Sequence, residues 1–162
     1  MKRSALIIGV DNYQYVNKLA GAINDSEAIN DKLSVLGFEC KTFPDLSSDE
    51  IIDMRGTFSE MLQTSDVGLF YFAGHGVEIS NQNFLICSNT TIDENLSNEN
   101  LIASLKRNSL PMNEVIEILE YSKVPVKIII LDVCRSPIKE SSTRGMDRIP
   151  TLAPVVAYNG TI

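Results

Sequence analysis

The chain has no tryptophan, one histidine and only three cysteines in 162 residues. Three thiols, odd in number and spread over positions 40, 87 and 134, make neither a disulfide framework nor a metal-ligand cluster. No metal ligand set is expected, and a reducing cytoplasm is the natural location. Basic residues are in the minority: 14 Lys and Arg stand against 21 Asp and Glu, a net charge of −7. That balance argues against nucleic acid as a partner, because sequence-independent binding needs basic surface, and equally against an anionic membrane surface. No apolar run approaches the roughly 20 residues of a membrane span. The short apolar stretch near the start breaks at Asp11-Asn12, and no small-residue cleavage site follows. It reads as a first strand rather than a signal peptide. Gly9-Val10-Asp11-Asn12-Tyr13 supplies no glycine-rich phosphate loop, so a nucleotide-binding flavodoxin-like domain is disfavoured.

What is present is enough apolar content, 44%, for one domain with a real core. Residues 4–10, 38–43, 67–73 and 126–132 read as strands. Between them, Ala28, Ile29, Leu33 and Leu36 recur at helical spacing after a cap at Asn24 or Asp25. Ile51, Met54, Phe58, Met61 and Leu62 form the stripe of a second helix, capped by Ser48 or Asp49. Residues 77–89 read as a hairpin turning at Ser80-Asn81-Gln82-Asn83, and residues 93–100 as a polar surface loop. Pro111 suits the first turn of a helix carrying Val115, Ile116 and Leu119. This order predicts an α/β fold, a mostly parallel central sheet with helices on both faces. Residues 136–150 are polar and expected to be mobile; residues 154–158 read as the start of a fifth strand. A chain ending just past an apolar strand with nothing to cover it reads as part of a larger protein or half of a complex.

Two of the apolar runs end on reactive groups. His75, the only histidine, lies in Gly74-His75-Gly76 after residues 67–73. Cys134 lies in Leu131-Asp132-Val133-Cys134-Arg135, directly after the fourth strand. Neighbouring parallel strands open their carboxyl ends onto one crevice. A thiol beside an imidazole gains thiolate character and becomes a nucleophile. Taken singly, a loop histidine is more often structural and a cysteine near a strand more often a small hydrophobe. Their joint placement favours chemistry. Cys40 and Cys87 have no such setting and read as structural thiols. Tyr71 and Phe72 read as core; Asp11 and Tyr13 are expected only to shape the loop after the first strand.

The segments Phe70-Tyr71-Phe72-Ala73-Gly74-His75-Gly76 and Ile129-Ile130-Leu131-Asp132-Val133-Cys134-Arg135 resemble the caspase-like clan of cysteine peptidases, and within it the prokaryotic metacaspase-like (orthocaspase) branch. Ala5 through Tyr13 and Leu19 through Ala28 resemble that branch too, so the likeness spans nearly the whole chain. It implies a caspase-like three-layer fold over residues 1–162, the p20-type catalytic portion, completed by a C-terminal p10-type segment or regulatory domain. It also implies hydrolysis of peptide bonds by a nucleophilic Cys134 and a catalytic His75, with backbone N–H groups of Gly76 and Cys134 facing the oxyanion. Caspases proper prefer aspartate before the cut bond and bind it with arginines. Metacaspase-like relatives cut after arginine or lysine and use acidic residues. Asp25 matches one acidic position of that pocket. Asp132, two residues before Cys134 on an alternating strand, points to the same crevice. The plainer readings are a helix cap for Asp25 and a strand-end turn for Asp132. Ala22 and Ala73 depart from the cysteine and serine often found at those places, which touches the polar detail of the pocket but not its charge. A protein or peptide with a basic P1 residue is therefore the expected substrate, and Lys139, Arg144 and Arg148 are candidate self-cleavage sites. No cofactor is required by this chemistry. The resemblance raises calcium activation, but the acidic residues form no loop of recognisable calcium-binding spacing. The competing reading is a non-catalytic caspase-like module that acts by binding a partner.

Overall fold

The computed structural model describes residues 1–133. Cys134, the 136–150 loop and the fifth strand expected at 154–158 lie outside the described residues. Strands β1 (Arg3–Gly9), β2 (Phe38–Pro44), β3 (Val67–Gly74) and β7 (Val126–Val133) form one parallel sheet in the order β2-β1-β3-β7. Helix α1 (Ala22–Val35) joins β1 to β2, and α2 (Ile51–Leu62) joins β2 to β3. A separate antiparallel sheet is made from β4 (Gly76–Ile79), β5 (Gln82–Leu85) and the two-residue β6 (Leu110–Pro111). Helices α3 (Asn98–Asn108) and α4 (Met112–Tyr121) complete the chain before β7.

Every residue of β3 is buried, which explains its unbroken apolar run: parallel strands covered on both faces do not alternate. Leu69, Tyr71 and Ala73 face α1 with Ala5, Ile7 and Ala22. Phe70 and Phe72 face the larger core, which includes Met54, Phe58 and Leu62 of α2 and Val115 and Leu119 of α4. The α/β class and the helices on both faces are as the sequence implies.

Four details differ. Neither Ser48 nor Asp49 caps α2: a 3-10 turn at Ser48–Glu50 leads into it, and the Glu50 carboxylate accepts from the Ser47 N–H and hydroxyl. Residues 93–100 are not all loop: α3 begins at Asn98, with the Ser97 side chain accepting the Asn100 N–H and Leu101 and Leu105 turned inward. The hairpin turns on two residues, Ser80 and Asn81, both with positive φ, rather than four. Helix α1 starts at Ala22, before Asn24 and Asp25, so neither of these caps it. Its first N–H groups are satisfied from a distance, by Asp11. Oδ1 accepts from Gly21 (3.1 Å) and Ala22 (2.9 Å), and Oδ2 accepts from Ile23 (3.2 Å). A helix N-terminus needs such acceptors, and they need not be local.

Candidate active site

β3 and β7 are paired in register with Gly74 opposite Val133. His75 is the residue after Gly74, and Cys134 is the next residue in sequence after Val133. Gly74 has φ +155°, and a Cβ there would lie 2.6 Å from the Tyr13 hydroxyl, so no other residue fits without displacing that phenol.

His75 is buried, only 1% exposed. Its backbone N–H donates to the Tyr13 hydroxyl at 2.7 Å, and the two rings lie 4.7 Å apart, centroid to centroid. Its Nε2 lies 2.8 Å from the backbone carbonyl of Asn17. A carbonyl oxygen only accepts, so Nε2 carries the proton in this bond. The neutral ring then presents Nδ1 as a bare lone pair, and Nδ1 is buried with no partner among the described residues. Burial holds the His75 pKa below its ordinary value, against the opposing pull of the Asn17 hydrogen bond. Among the described residues the ring thus has one nitrogen oriented by Asn17 and the other unengaged.

The Asn17 carbonyl was invisible in the sequence because a backbone acceptor carries no side-chain signature. The loop that presents it, residues 10–21, is tied at many points. Val10 N–H donates to Ala73 O (3.0 Å), Gln14 N–H to Ser88 O (2.8 Å), and Tyr13 and Leu19 N–H both to Asp11 O (3.1 and 3.0 Å). Asp45 adds a second anchor. Its Oδ1 accepts the N–H groups of Asp11 and Asn12, each at 2.9 Å, and its Oδ2 accepts Asn12 Nδ2 at 2.7 Å. Burial disfavours the charged form of Asp45. The hydrogen bonds from Asn12 and Asp11, with the charge of Lys18, outweigh it and leave the pKa below its ordinary value.

Asp25 is exposed in the first turn of α1, and Asp132 is exposed on β7 opposite Ala73. Both converge on Tyr71, whose hydroxyl bonds the Asp132 carboxylate. The Tyr71 pKa is pushed up to about 12 by burial first, then by the charges of Asp132 and Asp25. Tyr71 is thus more than core: its ring packs under α1 while its hydroxyl bonds the Asp132 carboxylate and feels the charge of Asp25. Alternation on β3 put this side chain on the same face as Ala73, which was the available signal. Gly76 opens β4 opposite Leu85 and is buried. Cys87 is buried and its thiol is pushed up to about 12, chiefly by burial; Cys40 is half-buried on β2 and also raised by burial. Neither has an activated thiol, as the sequence implies. Among the described residues no group of acidic, histidine or cysteine side chains could hold a metal ion. A groove of about 750 Å³, lined in part by Arg55, Glu114 and Tyr121, lies between α2 and α4 and shares no residue with this constellation.

Comparison with known proteins agrees with this fold. Over 131 residues, 81% of its length, the chain is 27% identical to human mucosa-associated lymphoid tissue lymphoma translocation protein 1. It is 26% identical over the same length to the mouse homolog. It spans only 15% and 14% of those two proteins. Among solved structures it superposes on the Drosophila initiator caspase Dronc with a TM-score of 0.60 at 12% identity, covering 80% of this chain and 48% of that one. It superposes on protein GSU0716 from Geobacter sulfurreducens with a TM-score of 0.61 at 16% identity, covering 83% and 51%. The family model for the caspase domain matches residues 2–159, nearly the whole chain. A parallel sheet whose β3 ends on a single buried, oriented histidine, together with that match, establishes that this chain belongs to the caspase-domain family of peptidases.

Proposed function

We propose that this chain is the catalytic part of a cysteine endopeptidase that cuts after arginine or lysine, of the metacaspase-like kind. The observation that carries this reading is the register of β3 and β7: Gly74 lies opposite Val133, so His75 and Cys134 follow paired strand ends. The oriented His75 ring supports it from the other side. With Nε2 tied to Asn17 O, Nδ1 is the nitrogen left to take a proton from a thiol. In this mechanism the Cys134 thiolate attacks the scissile carbonyl and the bond to the leaving nitrogen breaks. His75 delivers the proton to the departing amine, then takes one from the water that releases the acyl group. Backbone N–H groups of Gly76 and Cys134 are assigned to the oxyanion.

Specificity rests on the convergence of Asp25 and Asp132 around Tyr71. Two carboxylates suit a guanidinium, whose planar fork can meet both, and oppose an acidic P1 side chain. A C-terminal p10-type partner segment is supported by β7, which leaves Val126 and Ile130 41% and 40% exposed on its α1 face. The cytoplasm is the assigned location; among the described residues no helix is long and apolar enough to cross a membrane. A second reading, a non-catalytic caspase-like binding module, is favoured by one observation, the near-complete burial of His75. The test is a thiol-reactive peptide probe carrying arginine at P1. Labelling that stops in Cys134→Ala, and is weak with an aspartate probe, supports the peptidase. No labelling of folded full-length protein leaves the binding module.

A further inference from the structure

We propose that Asp11 is a positioning residue that sets two parts of the site together: the carbonyl that orients His75 and the helix that carries Asp25. The functional weight of this assignment rests on the peptidase reading; the geometry does not. Through its backbone, Asp11 closes the loop that presents Asn17, because its carbonyl accepts from both Tyr13 and Leu19. Through its side chain it fixes the start of α1, because its two oxygens take the N–H groups of Gly21, Ala22 and Ile23. Asp25 lies three residues after Ala22 on that same first turn, and its N–H donates to Gly21 O at 2.8 Å. Both ends of the chain from 11 to 23 therefore meet in one half-buried residue, and Asp45 holds that residue to the end of β2. The sequence suggested only that Asp11 shapes a loop. The structure makes it the acceptor that a buried helix start requires, placed where movement is transmitted to His75 on one side and Asp25 on the other.

His75 is the only histidine in these 162 residues, so their ring nitrogens give one set of resonances, read without any turnover. In wild type, Nε2 is expected to be protonated and Nδ1 bare. Asp11→Ala keeps the backbone carbonyl but frees the N–H groups of Gly21, Ala22 and Ile23, so the far end of the loop slackens, the bond to Asn17 loosens, the two tautomers mix, and peptide turnover falls at least about tenfold. The preference for an arginine over an uncharged P1 residue narrows in the same variant. Asp11→Asn keeps one acceptor oxygen and is expected to lie between. Ser97→Ala, which removes the side-chain cap of the distant α3, gives a comparable loosening elsewhere and should leave the His75 tautomer as in wild type. Where Asp11→Ala fails to fold, Asp45→Asn serves. Asn tolerates the φ of +50° at that position, and the variant weakens the anchor from outside. An unchanged tautomer in the folded Asp11 variant, or in Asp45→Asn where that serves, overturns the proposal. So does an equal change in Ser97→Ala. A tautomer that shifts in a protein whose wild type cuts no peptide removes the peptidase reading and keeps the positioning role.

Discussion

The two faces of the parallel sheet are built differently. On one face Leu6, Ile8, Phe70 and Phe72 meet large side chains from α2 and α4, and Ile129 and Leu131 of β7 pack against the same core. On the other, Ala5, Ile7, Leu69 and Ala73 are mostly smaller and meet a single helix, α1. That helix comes so close to β1 that a Cβ on Gly9 would lie 2.6 Å from the carbonyl of Ala22. β7 is half-uncovered there, and the face ends in Tyr71, Asp25 and Asp132. One face carries packing and the other carries charge. Successive side chains of a strand point to opposite sides, so one strand serves both without compromise.

The comparison can be broken in several ways. The largest effect is expected at His75 and Cys134, the residues that follow β3 and β7 in sequence. Cys134→Ala and His75→Ala should each lower peptide hydrolysis by the complete protein at least about 10⁴-fold, roughly 5.5 kcal/mol of transition-state stabilisation. Circular dichroism should show the fold retained. Substantial activity in either variant would remove the dyad. Next comes packing: Phe72→Ala should cost about 3–5 kcal/mol in urea unfolding, whereas Ile130→Ala on the open face should cost under about 1 kcal/mol. Similar costs at the two positions would erase the distinction between the faces. Third, Asp132→Ala should lower kcat/KM for an arginine peptide about tenfold, corresponding to about 1.4 kcal/mol, in a panel differing only at P1. Indifference to both Asp132→Ala and Asp25→Ala, or efficient cutting after aspartate, would show that the charged face does not select the substrate.

The smallest effect is in pH. The His75 pKa is lowered in the folded protein, so the unfolded chain binds the extra proton first as pH falls. The contribution is full above the unfolded value of about 6.5 and is lost as pH falls from there through the folded pKa. Urea midpoints measured from pH 7.5 down to 5 should decline through this window in wild type and decline less in His75→Ala. Parallel profiles would mean that the ring is not held neutral by burial.

Strands were legible because three of the four central ones are continuous apolar runs bounded by Asp11, Gly74 and the 132–135 segment. His75 stood out as a candidate because it is the only histidine in the 162 residues and lies between two glycines at a strand end. Helix α3 was missed because Leu101 and Leu105 are its only two buried residues, set among asparagine, glutamate, lysine and arginine. The start of α1 was misplaced because its capping carboxylate lies ten and more residues upstream, beyond the reach of a local capping pattern. Tyr71 was read as core because an aromatic in an apolar run gives no sign of where its hydroxyl ends. Asn17 was missed for a stricter reason: its contribution is a main-chain oxygen, and any residue at that position would supply one.

β3 lies between β1 and β7, every one of its residues is buried, and it has no free edge. In hydrogen-exchange terms its amides should be among the last to open, near the limit set by global unfolding. The exposed turn at Ser80–Asn81 can fray without moving the ends of β1, β3 and β7 relative to one another. The His75 amide continues the most protected strand, yet its partner is a phenol rather than a neighbouring strand. Its exchange rate therefore reports on how firmly the loop bearing Tyr13 is seated, and marks the border between the part of the molecule that endures and the part that yields.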